Sequence, residues 1–258
     1  MNTEKNKQLM IQLLNGIKAM PYFKNYAAAS GAVHNIASHE KAVEILMTDN
    51  GLTEWIPIEK PNSETVWNWI NTSYQNTIQE KPVIIDSVVP MPDYSYVSQP
   101  CGTHDSPDFI IKLDEAIFMG IECKSVDKGY TPMYNSGGIK QPLIYVFCSK
   151  KTNSTTMYCG KDIMTLEQQQ ILDELIEKQR IIEKEYNEKL KECDVNHRGI
   201  SYYTRPMIQQ SGGAEYTNYF THRNREKCEQ NVYEYVNMLI EKNTAPPSNT
   251  IMTSDVEP

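Results

Sequence analysis

The alternation of apolar and polar positions divides the chain into a β-rich centre with helical flanks. Residues 107–164 contain four runs rich in β-branched and aromatic residues: DFIIKL, AIFMGIECK, PLIYVFCS and STTMYCG. Short runs of this composition, bounded by turn formers, predict strands. VIIDSVV at 83–89 predicts another, and VWNWI at 66–70 fits either a strand or a short helix. Residues 1–50 read as helical. Within them Asn35 is a candidate cap for a helix running to about Leu46, with Ala42, Val43 and Leu46 apolar and Gly51 past its end.

The second half changes character. Residues 165–194 predict one long, highly charged helix whose apolar Leu166, Ile171, Leu175, Ile182 and Leu190 suit packing along one stripe, within the chain or on a second copy of it. Residues 195–242 are aromatic and locally basic and end in an amphipathic helix, and 243–258 have the composition of a flexible tail. The expected fold class is therefore α/β, a central mixed β-sheet flanked by helices with a C-terminal helical lobe. The expected division is a core at 1–164, the long helix at 165–194, the lobe at 195–242 and the tail at 243–258.

The run SPDFIIKLDEAIFMGIECKS at 106–125 narrows the picture. Two strand-like segments flank a polar centre at Asp114 and Glu115, which predicts a hairpin. Side chains alternate along a strand, so Glu122 and Lys124 share a face with Phe118 and Gly120. A two-residue turn sets polar residues against apolar ones along the whole ladder. A three-residue loop at Asp114–Ala116 pairs Phe109 with Ile121, Ile111 with Met119 and Leu113 with Ile117. That register gives one continuous apolar face and puts Asp108 across from Glu122. Two carboxylates and a lysine then share one polar patch. Paired carboxylates suit a hard cation such as Mg²⁺, which activates water and polarises a phosphoryl oxygen, while a lysine stabilises developing negative charge. The bland alternative is an ordinary hairpin with a charged edge, and it leaves unexplained why two charges interrupt an apolar strand.

Pro107-Asp108 followed by Glu122-Cys123-Lys124 resembles the PD-(D/E)XK nuclease superfamily, above all the type II restriction endonucleases. The resemblance covers about 20 residues and its motif is degenerate. It implies a restriction-endonuclease-like α-β-β-β-α-β core and Mg²⁺-dependent hydrolysis of double-stranded DNA leaving 5′-phosphate ends. Asp108 and Glu122 would hold the metal, and Lys124 would position the water. It further implies functional pairing with a DNA methyltransferase, and a homodimer is the default for a palindromic site. Family members commonly add an acidic residue from an N-terminal helix, and Glu40 matches it; a glutamate favoured there by the helix dipole is the equal alternative.

Further candidates surround this motif. In the 128–149 segment Gly137 and Gly138 permit close approach of a ligand, and Lys140 is a candidate phosphate contact or a plain surface lysine. Residues 196–227 combine Arg198, Arg205, Arg223 and Arg225 with Gln209 and Gln210 among many tyrosines. Arg and Gln read guanine and adenine edges and also hold phosphates, so this is the candidate DNA-recognition region. The alternative is a tyrosine-rich element packing on the core. Two rival functions stay open: a repair or recombination nuclease with the same site, and a non-catalytic DNA-binding or coiled-coil protein built on the long helix.

Charge and composition add bounds. The formal net charge of −8 argues against a coat that neutralises phosphates regardless of sequence, but says little about one local cleft. No run approaches the roughly 18 apolar residues of a membrane helix, and the N-terminus lacks a signal peptide's apolar core. A cytoplasmic protein without a membrane partner is expected. The six cysteines form no C-x-x-C pair and are expected to be free thiols.

Overall fold

A computed structural model describes residues 2–23, 39–79, 90–102, 105–114, 117–135 and 138–244. The strand expected at 83–89, the cap at Asn35 and Gly137 lie outside these residues, as does the tail from 245. Thr3–Ala19 forms α1, His39–Asp49 α2, Thr53–Glu54 β1 and Ser63–Asn76 α3. Ser95–Ser98, Phe109–Lys112, Phe118–Val126 and Tyr134–Asn135 form β2 to β5, and Leu143–Ser149 and Ser154–Cys159 form β6 and β7. Leu166–Glu192 is α4, Met207–Ile208 β8, Ala214–Thr217 α5 and Arg225–Thr244 α6.

Six strands make one mixed sheet in the order β1-β2-β3-β4-β6-β7. β1 and β2 run parallel, as do β4 and β6, and the remaining neighbours are antiparallel. The α/β class with a mixed, helix-flanked sheet is thus present. VWNWI turns out helical. It lies in α3, where Asn62 caps the first turn by accepting from Thr65 N–H at 2.8 Å. Val66, Trp69 and Ile70 fall on one side of that helix and are buried. The spacing of three and four is helical, and no alternation of two competes with it.

Each face of the sheet has its own core. On one, Phe109, Ile111, Met119, Ile121, Ile144 and Val146 meet residues of α1, α2 and α6. On the other, Ile110, Phe118, Leu143, Tyr145, Phe147 and Tyr158 meet α3 together with Tyr134, Tyr219 and Phe220. Gly120 lies on this second face. A Cβ there would come within 2.4 Å of Leu143 and 3.1 Å of Ile70, so glycine is what lets α3 seat against β4.

The expected C-terminal lobe divides. β8 pairs with β5, Tyr219 and Phe220 enter the second core, and α6 returns to the first face, carrying Val232, Tyr235, Val236, Leu239 and Ile240. That helix runs to Thr244, slightly beyond the expected start of the tail. The long helix leaves its expected stripe uncovered within the chain, so of the two expectations packing on a second copy stays open. Leu166, Ile171, Leu175, Ile182 and Leu190 are exposed, and Ile176 is its buried residue. The side of α4 that packs is instead polar at its far end: Asn187 exchanges two hydrogen bonds with the Tyr202 backbone, at 2.8 and 2.6 Å, and Glu183 accepts from Thr204. A stripe chosen by hydrophobicity alone missed a face held by side-chain-to-backbone bonds. Among the described residues no helix is long and apolar enough to cross a membrane.

Candidate active site

The β3–β4 hairpin sets the geometry. Phe109 pairs with Ile121 and Ile111 with Met119. Leu113 N–H donates to Ile117 O at 3.1 Å, and Ile117 N–H to Asp114 O at 3.1 Å. This is the register that a three-residue loop at 114–116 requires. Continued by one position, it sets Asp108 across from Glu122.

Asp108 Oδ2 accepts from the backbone N–H of Cys123 at 2.7 Å. Glu122 Oε1 pairs with Lys124 Nζ at 2.5 Å. Glu122 is only 7% exposed, and its Oε2 is buried with no hydrogen-bond partner among the described residues. Glu40, in the first turn of α2, is half-buried and close enough for its charge to act on both Asp108 and Glu122. The N-terminal end of α2 and the two central strands thus bring three carboxylates and one ammonium into one electrostatic neighbourhood.

Burial, and then the charge of Glu122, push the Asp108 carboxyl up to about 8, against the pull of the Cys123 N–H and of Lys124. Burial also raises Glu122, opposed chiefly by Lys124. Each carboxylate is therefore costly to keep charged without further positive charge nearby. A divalent cation between Asp108 and Glu122 would offset that cost for both.

The donor set fits such a cation. Asp108 and Glu122 offer hard oxygen donors side by side, and Glu122 Oε2 is buried without a partner among the described residues. Among the described residues no three of His, Cys, Asp and Glu lie close enough together to form a complete metal cage. Mg²⁺ is commonly held by one or two carboxylates and keeps several waters, so a pair suffices for it where a cage-binding ion would need more.

The second face of the sheet continues the site sideways. Glu122 pairs with Tyr145, and Tyr145 with Tyr158. The Tyr145 ring stacks on Tyr158 at 5.3 Å, and its hydroxyl accepts from Lys140 N–H at 2.7 Å. Cys101, half-buried in the loop before β3, also feels the charge of Glu122. Neither Tyr145 nor Cys101 was singled out from the sequence. The parallel pairing of β4 with β6 joins residues that share no local motif, so no signal for Tyr145 was available.

The other candidates scatter. Lys140 Nζ lies 3.9 Å from Asp173 of α4. Gly138 does adopt positive φ, +87°, but the atom its missing side chain would strike is Ile208 Cδ1, at 2.0 Å, so the close approach there serves packing with β8. Arg198, Arg205, Gln209 and Arg223 are exposed. Gln210 accepts from Tyr219 OH at 2.8 Å. Arg225 departs from its expected role in DNA contact: Nε donates to Glu229 at 2.8 Å, and the two terminal nitrogens donate to Phe220 O and Thr155 O at 3.2 and 3.4 Å. It ties α6 to the edge strand. The tyrosines separate as well, with Tyr219 in the core and Tyr202, Tyr203 and Tyr216 exposed.

No protein-family model matches the chain, and neither does any curated protein or solved structure.

Proposed function

We propose that this chain is a Mg²⁺-dependent endonuclease of the type II restriction kind, with a restriction-endonuclease-like core, acting on double-stranded DNA. One observation carries the reading: Asp108, Glu122 and Lys124 meet on neighbouring strands, with Glu122 Oε2 buried and unpartnered among the described residues. A structural ion pair explains Lys124 and Glu122. It does not explain a second, half-buried carboxylate beside them, which raises the cost of both.

In this reading Asp108 and Glu122 hold Mg²⁺, and Glu40 adds negative charge from α2. The cation supplies Lewis acidity toward the scissile phosphate and lowers the pKa of a water. Lys124 places an ammonium where a phosphate oxygen or an attacking water accepts a hydrogen bond. The Cys123 N–H fixes the Asp108 carboxylate, so the site is preorganised by the hairpin itself. Exposed Arg198, Arg205 and Arg223 are the proposed DNA contacts outside the site, with Gln209 beside them. A homodimer suits a palindromic target. A cytoplasmic location and a partner methyltransferase complete the proposal.

The test is incubation with plasmid DNA and Mg²⁺. Discrete fragments with 5′-phosphate ends are expected, and EDTA should prevent them. Cuts confined to branched or mismatched DNA would move the assignment to repair or recombination. Intact DNA across a range of plasmids would remove the enzymatic reading.

A further inference from the structure

At the outer edge of the sheet, β7 and the 210–228 segment border a pocket of about 190 Å³. A cavity of roughly 150 Å³ is enough to take up benzene, so this one has room for a six-membered ring. Tyr216 supplies open aromatic surface, and the largely covered rings of Tyr158 and Tyr219 form the wall behind it. These two are held rigidly: the hydroxyls of Tyr158 and Tyr219 both bond to Tyr134 OH, at 2.8 and 2.9 Å. Tyr216 stands at the rim, 66% exposed.

The polar lining selects the ligand's charge. Arg225 contributes to the wall, with three of its five N–H donors engaged by Glu229 and two carbonyls. Asp162 lines the same pocket, and its Oδ2 is buried with no hydrogen-bond partner among the described residues, which disfavours an anion and favours a ligand that carries a donor. Three neutral side chains keep valences uncommitted among the described residues. Gln210 accepts from Tyr219 through Oε1 and retains its Nε2 donors. The Asn224 amide can both donate and accept. His222 Nδ1 accepts the Asn224 backbone N–H at 3.1 Å, which leaves Nε2 to donate. Aromatic faces with amide and imidazole edges suit a neutral planar heterocycle that carries both donors and acceptors.

We infer that this pocket binds a single nucleobase. The inference deepens the endonuclease reading and rests on it for the source of the base, an unstacked nucleotide of the bound DNA. Tyr158 lies in the same cross-strand row as Glu122, with Tyr145 between them. Two strand spacings of about 4.8 Å separate the row's ends, so the pocket wall is within roughly a nucleotide's reach of the candidate cleavage site. A base drawn out of a duplex is held by stacking on aromatic side chains and read at its hydrogen-bonding edge.

The test titrates the four neutral nucleosides into the full chain without metal and follows tyrosine fluorescence. At least one nucleoside should bind. Its affinity should fall at least about fivefold in Tyr216→Ala, the loss of one stacking partner, or in Gln210→Ala, with melting temperatures checked so that unfolding is not mistaken for lost binding. Absence of binding to the wild-type chain, or unchanged affinity in both variants, overturns the pocket. A homo-oligonucleotide of the preferred base should bind more tightly than an abasic chain of equal length. Equal binding of the two would overturn DNA as the source of the base. Because nucleoside binding needs neither Mg²⁺ nor a scissile bond, the pocket and the nuclease reading fail independently, the second being judged by plasmid cleavage.

Discussion

The carboxylate of Asp108 is anchored to the backbone of Cys123, whose N–H it accepts at 2.7 Å. Cys123 sits between Glu122 and Lys124 and faces the opposite core. The register that buries Cys123 is thus the register that brings the two carboxylates together. A slip of one residue would turn Glu122 and Lys124 into the apolar face, so folding and site assembly are one event.

The first prediction concerns the metal-free protein. Burial and like charge make the Asp108–Glu122 pair costly. Asp108→Asn keeps an acceptor for Cys123 N–H and removes a charge, so the metal-free variant should be more stable than wild type by about 1 kcal/mol or more. That corresponds to roughly 2–4 °C in melting temperature per kcal/mol for a chain of this size. Mg²⁺ should raise the melting temperature of the wild type and leave the variant unmoved. Calorimetric scans with and without Mg²⁺ check both. A variant that melts below wild type without metal contradicts the charge argument.

The second separates Lys124 from the carboxylates. Lys124→Ala should slow cleavage by roughly 10²–10³-fold, the loss expected for one preorganised donor to developing charge. DNA and Mg²⁺ binding should survive. Glu122→Ala and Asp108→Ala should lose cleavage and Mg²⁺ binding together. Titration calorimetry with Mg²⁺, beside cleavage rates, distinguishes the two patterns, and near wild-type cleavage by any of the three would remove that residue from the site.

How much of this was legible in the sequence depends on range. The hairpin register followed from local alternation, because a short loop leaves few pairings and one of them keeps the apolar face continuous. The four central runs and the helical termini were legible for the same reason. The fate of Arg225 was not, since its partners Glu229 and Thr155 come from a helix turn away and from β7. Position 225 looked like part of a basic surface only while the buried carboxylate at 229 had no known location. The stripe of α4 was legible, but not that it faces away from the chain: Asn187 and Glu183 decide which side faces the chain by bonding backbone groups of 202–204. The β7-edge pocket draws on residues 156–228, and no spacing rule joins them.

A third prediction follows from Glu229, which is 2% exposed and is met by Lys18 Nζ at 2.8 Å, Arg225 Nε at 2.8 Å and Thr156 Oγ1 at 2.8 Å. Burial raises its carboxyl, but the hydrogen bonds from Lys18, Arg225 and Thr156 outweigh burial and hold it below the ordinary range. A depressed carboxyl stabilises the fold above the unfolded-state pKa, about 4.3 for glutamate. That contribution is lost as pH falls through the lower folded value. Glu229→Gln should cost roughly 1–3 kcal/mol at pH 7, less than a fully buried pair because Lys18 and Arg225 are partly solvated. Urea denaturation between pH 3 and pH 7 should show the gap between wild type and variant closing toward the acid end. A gap independent of pH would mean that packing, not charge, holds this corner.

The last prediction divides the arginines of the 196–227 segment. The proposed cleavage site would handle phosphates, which carry no base information, so choice of sequence would have to come from other side chains. Arg205 and Arg223 are exposed and carry guanidinium groups suited to a guanine edge. Arg225 is tied to Glu229 and two carbonyls. Arg205→Ala or Arg223→Ala should therefore weaken binding by roughly 1–3 kcal/mol at one base-pair position and relax discrimination there. An arginine that touches only phosphate would instead weaken binding to all sequences alike and reduce the salt slope by about 1. Arg225→Ala should do neither: it should lower the melting temperature, since Glu229 loses a partner in a buried setting, and leave the sequence preference of the remaining folded protein unchanged. Binding of all three variants to the cut site, to its single-base variants and at several salt concentrations separates these outcomes. Uniform loss for both Arg205 and Arg223 would confine this segment to the backbone. A shift of sequence preference in Arg225→Ala would show that the guanidinium leaves Glu229 when DNA binds, and that the tie seen here belongs to the free protein alone.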